Sequence, residues 1–387
     1  MKRIDLIFFD AGGGHRSAAN ALKHVIEQQG RAWEVRLVNL QQVLESLDIF
    51  KQLTGIRSED VYNLFLRKGW TWGSPMVLKM MHVLIRSYHN RQVALLRKFW
   101  IEERPELVVS LIPNFARSLF QSMRAEIPSV PLVSVMTDMA DYPPHFWIEE
   151  QDQYFICGTR KAAEQALDLG HPREKIFQTS GMILNPKFYE PVEGDRRDLG
   201  LDPDVPTGLV LFGGAGSLAM LDIAKRLQAA APRMQLILLC GHNVKLAEKL
   251  RALRGPVKMH IEGFTREVPK FMRMSDFMIG KPGPGSISEA LAMKLPVIVE
   301  RNAWTLPQER YNTDWVREQG VGLVLDSFDK IVDAVRELLE PENYSRYRSA
   351  AAAQTNRAVF EIPDLFERIM SGTASGPQGK NQAVASS

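Results

Sequence analysis

The chain has 387 residues and little that would suit an exported, membrane-spanning or nucleic-acid-bound protein. It has two cysteines, Cys157 and Cys240, each in or just after an apolar run, so buried free thiols are expected and a disulfide framework is not. No apolar stretch reaches the roughly 18 residues of a membrane span. The opening MKRIDLIFF is basic and apolar, but too short for a signal peptide. Lys and Arg number 48 and Asp and Glu 45, and the formal charge of +3 is too small to argue for nucleic acid. The eight histidines show no metal-ligand spacing. An Asp-x-Asp run, Asp202 to Asp204, sits just before a strand in a linker-like stretch, so no metal site is expected. These features describe a cytoplasmic chain long enough for two domains.

What the sequence does hold is a repeated alternation. IDLIFF, EVRLVNL, ELVVSLI, PLVSVM and QYFICG read as buried strands with helical stretches between them. TGLVLFGG, MQLILLC, VKMHIEG, DFMIGK, LPVIVE and VGLVL repeat the scheme in the second half. Apolar strands alternating with helices imply an α/β fold of two Rossmann-like, doubly wound parallel-sheet domains facing a cleft. The division falls in the proline- and charge-rich stretch 186–206. The expected organisation is an N-terminal domain over 1–187 and a C-terminal domain over 188–370, whose last helices are free to pack back on the first. The tail 371–387 has linker composition and is expected to be disordered.

Three strands end in glycine. In DAGGGHRSA, Gly12, Gly13 and Gly14 precede a helix expected to begin near Arg16 or Ser17. A dinucleotide fingerprint fits poorly, because Ser17 stands where its third glycine belongs and no acid closes the second strand. His15 either caps that helix or exchanges a proton near the gap. The second turn is Gly213 to Ser217. The third, KPGPGSISEAL, makes a rigid turn before a helix expected to start near Ser286, with Glu289 in its first turn or so. Glu289 can hold a ribose there or satisfy its own helix. Gln308, Glu309 and Asn312 crowd the start of the next helical stretch, where they suit sugar hydroxyls or simply favour a helix N-terminus.

From Asp60 to Glu102 no acidic residue intervenes, while Lys79, Arg86, Arg97 and Trp100 lie in that stretch. On a helix, Val77, Met81, Leu84, Tyr88 and Leu95 share one side and Lys79, His82, Arg86 and Arg97 the other. That pattern fits a helix lying in an anionic membrane surface, or a packed surface helix with a solvated basic face.

KPGPGSISEAL followed by PQERYN resembles the nucleotide-sugar half of glycosyltransferase family 28. GGGHRSAANAL and the VMTDM stretch are similar to the monogalactosyldiacylglycerol synthases and related bacterial diacylglycerol glycosyltransferases. The resemblance runs from about residue 4 to about residue 340 and implies a GT-B fold. It implies an enzyme that moves a hexose from a UDP-sugar to a lipid hydroxyl, with diacylglycerol the first-choice acceptor, by inverting displacement and without metal or other cofactor. It places Gly213, Gly214, Gly216, Ser217, Gly283, Gly285 and Ser286 by the diphosphate and Phe264 by the base. His242 and Asn243 join that donor side, Glu289 holds the ribose, and Gln308, Glu309 and Asn312 face the sugar. His15 and Asp138 are the implied catalytic residues, Asp138 as orienting partner of His15 or as the base itself. Gly12, Gly13, Gly14, Trp147 and Glu149 lie on the acceptor side; Glu149 and Glu150 stand where the family often has histidine-proline. A lipid acceptor implies a peripheral place on the inner face of the membrane. Another acceptor, such as a peptidoglycan lipid intermediate or a small molecule, a nucleotide-sugar epimerase, and a binding protein without catalysis remain open on the sequence.

Overall fold

The apolar runs become strands buried on both faces by helices. A computed structural model of the chain describes residues 1–10, 14–44 and 86–373. The first sheet contains β1 (Lys2–Phe8), β2 (Trp33–Asn39), β3 (Leu107–Ser110), β4 (Leu132–Val135), β5 (Tyr154–Cys157) and β6 (Ile176–Gln178). Its order is β2-β1-β3-β4-β5-β6, with every pairing parallel. The second sheet contains β7 (Thr207–Leu211), β8 (Gln235–Leu239), β9 (Met259–Glu262), β10 (Phe277–Gly280), β11 (Val297–Glu300) and β12 (Gly322–Leu325). Its order is β12-β11-β10-β7-β8-β9, again all parallel. Parallel pairing forces crossovers, and the helices supply them.

Among the described residues the helices are α1 (Gly14–Gln28), α2 (Leu40–Val43), α3 (His89–Glu103), α4 (Ala116–Glu126) and α5 (Arg160–Asp168) in the first half. The second half has α6 (Ala219–Ala230), α7 (Val244–Ala252), α8 (Val268–Arg273), α9 (Pro284–Ala292), α10 (Pro307–Glu318), α11 (Ile331–Leu339), α12 (Pro341–Ala353) and α13 (Ala358–Met370). Each sheet reverses its strand order once, between β1 and β3 in the first and between β7 and β10 in the second. At such a switch point the crossovers diverge to opposite faces and leave a crevice beyond the strand ends.

The last helix crosses back to the first sheet. Ala358, Val359, Ile362, Phe366 and Ile369 of α13 belong to the core built by Ile4, Leu6, Leu22, Val25 and Ile26. Each large apolar side chain buried this way is worth about 1.5–3 kcal/mol. Polar ties fix the crossing. Ser180 Oγ donates to Glu361 Oε1 at 2.6 Å, and Asn356 Nδ2 donates to the Met182 carbonyl at 2.9 Å. Arg31 bonds both Asp364 and Glu367.

The membrane assignment of Trp100 is overturned. Trp100 is 0% exposed and its Nε1 donates to Ser122 Oγ at 2.9 Å. With Leu96 it packs α3 onto α4 and the sheet, so that apolar face is already covered. Arg97 is exposed, and its Nε donates to Glu126 Oε1 at 2.6 Å. Arg86 is exposed, while Lys79 lies outside the described residues, as do Gly12, Gly13 and most of the 371–387 tail. Among the described residues no helix is long and apolar enough to cross a membrane. Cys157 and Cys240 are buried free thiols.

Candidate active site

The switch point of the second sheet carries two glycine turns. In the second sheet, β7 runs into Gly213 to Ser217 and its neighbour β10 runs into Lys281, Pro282 and Gly283. The first of these turns interlocks with the one after β8. Gly241 has φ +57°, and a Cβ there would meet the Gly214 carbonyl oxygen at 2.1 Å. The His242 N–H donates to that same carbonyl at 2.9 Å. Only glycine allows so close an approach with that backbone. The His242 ring stacks on Phe264, with centroids 4.0 Å apart, and Phe264 is 52% exposed, so a flat apolar surface stands open. Asn243 is used locally: its side chain accepts from the Leu246 N–H and caps α7.

Gly283 is the N-cap of α9 and Pro284 its first residue, so Gly285 and Ser286 fall in the first turn. No side chain caps that end. N–H groups without partners and the positive end of the helix dipole make it a place for an anion. Helix α9 starts two residues before Ser286, which puts Glu289 in its second turn and not its first. Burial alone pushes the Glu289 carboxyl up to about 7.

That shift has a sign for stability. The folded chain holds the Glu289 proton more tightly than the unfolded chain, so this contribution is full below pH 4.5 and is lost as pH rises through about 7. Glu289→Gln is therefore expected to match the parent chain at pH 4 and to exceed it at pH 8, by on the order of 2 kcal/mol after discounting partial exposure. Thermal unfolding at the two pH values checks this. A difference that does not change with pH would sink it.

Helix α10 brings the next group. Glu309 Oε1 lies 3.0 Å from Lys281 Nζ. Asn312, 0% exposed, donates from Nδ2 to the Pro282 carbonyl at 2.8 Å, so it braces the turn before α9 and does not face solvent. Its Oδ1 and the Gln308 Oε1 are buried without a protein partner. Lys281 carries no signal in the glycine pattern itself; the one available was a lone cation between an apolar strand and a glycine turn.

In the first sheet, His15 sits in the first turn of α1, which begins at Gly14, two residues earlier than Arg16. Thr137 Oγ1 is 3.1 Å from His15 Nδ1, and the Leu111 carbonyl also bonds the ring. Leu111 and Thr137 lie just past β3 and β4, so three strand ends converge on the imidazole. Burial pushes its pKa down to about 4, which keeps it neutral at neutral pH. Thr137, in the VMTDM stretch, is thus the side chain that meets the His15 ring, where Asp138 was expected as orienting partner or as the base itself.

Asp138 instead accepts from Trp147 Nε1 at 2.8 Å. The Trp147 backbone N–H donates to Asp141 Oδ1 at 2.6 Å, and the Trp147 and His15 rings are 6.1 Å apart. Burial first, then the Glu309 and Asp141 carboxylates, push Asp138 up to about 7, against the Trp147 bond and the Lys281 charge. Asp138 therefore feels Lys281 and Glu309 of the other half, and the two switch points face each other across the cleft. Glu149 is turned elsewhere. It accepts from the Arg117 N–H at 2.9 Å and lines a separate polar cavity of about 170 Å³ with Arg86 and His89. Among the described residues no His, Cys, Asp and Glu cluster of three or more could hold a metal ion.

Two Rossmann-like parallel sheets with opposed switch points define the GT-B architecture. Solved structures of that shape cover nearly the whole chain. They include an S. aureus MnaA–UDP co-structure, 15% identical with a TM-score of 0.63 over 98% of this chain and 99% of that one. Acinetobacter baumannii MurG is 12% identical with a TM-score of 0.62 over 95% of this chain and 100% of that one. Residues 209–368 match the family model described as glycosyltransferase family 28 C-terminal domain, and residues 15–182 that of monogalactosyldiacylglycerol (MGDG) synthase. The second half is thus similar to glycosyltransferase family 28 and the first half to the monogalactosyldiacylglycerol synthases. A probable chloroplastic monogalactosyldiacylglycerol synthase of Glycine max is 29% identical, covering 95% of this chain and 72% of that protein. The chloroplastic monogalactosyldiacylglycerol synthase of Spinacia oleracea is 28% identical, covering 95% of this chain and 73% of that one.

Proposed function

We propose that this enzyme transfers a hexose from a UDP-sugar to the hydroxyl of diacylglycerol, with inversion at the sugar carbon. The observation that carries this reading is the juxtaposition of a neutral His15 and Asp138 with Lys281 and Glu309 across one cleft. The relatives named above, spanning nearly all of the chain, support diacylglycerol as acceptor.

The chemistry follows from the groups present. An alcohol attacks poorly unless a base takes its proton as the new bond forms. His15, neutral and held by Thr137, takes that proton. The acceptor oxygen bonds the sugar carbon from one face while the bond to the diphosphate breaks on the other, and UDP departs with the electron pair. Backbone N–H groups of the Gly213 to Ser217 turn and the N-terminus of α9 meet the departing charge, so no metal is required. Phe264 with His242 offers a stacking surface for the base, and Glu289 holds the ribose. Gln308 Oε1, buried without a partner, accepts from a sugar hydroxyl. The acceptor is a bilayer lipid, and we place the enzyme on the inner membrane surface through the basic stretch that includes Lys79 and Arg86.

Incubation of the purified chain with UDP-galactose, UDP-glucose or UDP-N-acetylglucosamine and vesicles containing diacylglycerol tests this, with lipids read by mass spectrometry. One hexose donor is expected to yield a monohexosyl-diacylglycerol, faster on anionic than on neutral vesicles. Epimerised nucleotide sugar with no lipid product would point to the epimerase chemistry instead.

A further inference from the structure

Lys281 stands where the two glycine turns of the second sheet meet. A Cβ placed on Gly213 would lie 3.8 Å from its Cε, and one placed on Gly283 would lie 3.4 Å from Cε and 3.8 Å from Nζ. The amine thus reaches the space that both turns leave bare. Its side chain is 43% exposed, while that of its partner Glu309 is 10% exposed. An ammonium on a flexible stem can leave such a pair; a carboxylate packed into α10 cannot follow it far. Asp138 adds a second negative charge from the other half. Two carboxylates and one ammonium make a poor reception for a diphosphate as they stand. The site accepts that anion only if the ammonium turns towards it.

We infer that Lys281 is a donor-binding residue that exchanges Glu309 for the β-phosphate of the nucleotide sugar, so that Glu309 stands in for the phosphate while the site is empty. This rests on the UDP-sugar reading above. The exchange has two effects. Lys281 neutralises charge on the leaving group, where a charge-assisted bond is strongest. Glu309, released from the ammonium, is free to accept from the sugar hydroxyls beside Gln308. Release of UDP after transfer returns Lys281 to Glu309 and resets the site.

An ion pair kept only as scaffolding behaves differently from an exchanging one. In a scaffold, loss of either partner damages the site in the same direction. In an exchange, the two partners act with opposite sign on diphosphate affinity. The test is calorimetric titration of the full chain with UDP, UMP and uridine. Lys281→Gln is expected to weaken UDP about tenfold or more and to leave uridine and UMP within about twofold, with Lys281→Arg recovering part of the loss. Glu309→Gln is expected to bind UDP at least as tightly as the parent chain, because the competitor for Lys281 is gone, while its turnover falls. If Lys281→Gln weakens uridine as much as UDP, or if Glu309→Gln weakens UDP as Lys281→Gln does, the pair is scaffolding and the inference is wrong. Failure of the parent chain to bind UDP at all would instead overturn the nucleotide-sugar reading. Normal UDP binding by Lys281→Gln would overturn the inference alone.

Discussion

Replacing His15 by alanine is expected to lower kcat about 10²-fold or more, the usual scale for losing a general base, with UDP affinity within about twofold. The nucleotide contacts proposed above belong to the other half, so the defect is expected in the chemical step. Alanine suits the first turn of α1, so the fold should persist. Thr137→Val removes the hydroxyl 3.1 Å from Nδ1 while sparing the ring, and a smaller loss of roughly tenfold is expected. Near-full turnover by a folded His15→Ala chain would make the histidine a helix-end residue and pass the base to Asp138.

Asp138→Asn should produce the second large effect, and its size should depend on pH. The carboxyl is pushed up to about 7, so its charge changes around neutrality. An ionised Asp138 beside Trp147 favours the imidazolium that forms on His15 during transfer. Asparagine imitates the protonated form and can keep the bond from Trp147 Nε1. We therefore expect kcat/KM to fall about tenfold or more at pH 8, to change little at pH 6, and to lose its rise through pH 7. The full profile from pH 5.5 to 9 is the measurement, at about half-unit steps. A rise that survives in the variant belongs to another group, such as Glu289. A loss beyond about thousandfold at every pH would identify Asp138 as the base.

Much of this was legible in the sequence because parallel strands buried on both faces leave unbroken apolar runs. β6 escaped notice because it has three residues and its last, Gln178, is exposed. The turn of Glu289 was misplaced for a definite reason. Ser286 and Glu289 have the spacing of a reciprocal N-terminal cap, which draws the helix start towards the serine. Pro284, with its φ already helical, fits the first position better, and α9 begins there. Trp100 shows a different limit. An apolar stripe at helical spacing says that a face will be covered, not by what, and α4 with the sheet covers it. Asn312 and Asn243 had the composition of ligand contacts, yet each serves a neighbouring backbone group. Lys281 and Thr137 were overlooked because their importance comes from partners that folding brings together, Glu309 after 28 residues and His15 across 122.

The return of α13 has a consequence for how the protein is made. A ribosome delivers the first sheet long before it delivers residues 358–370, yet those residues fill part of that sheet's core. Early domains ordinarily fold as they emerge. Here the N-terminal half must wait, with the surface meant for Phe366 and Ile362 uncovered, while the whole of the second half is synthesised. Chaperone engagement should therefore concentrate on that late interval, and premature termination anywhere between the linker and residue 358 should yield an aggregation-prone fragment instead of a folded N-terminal half.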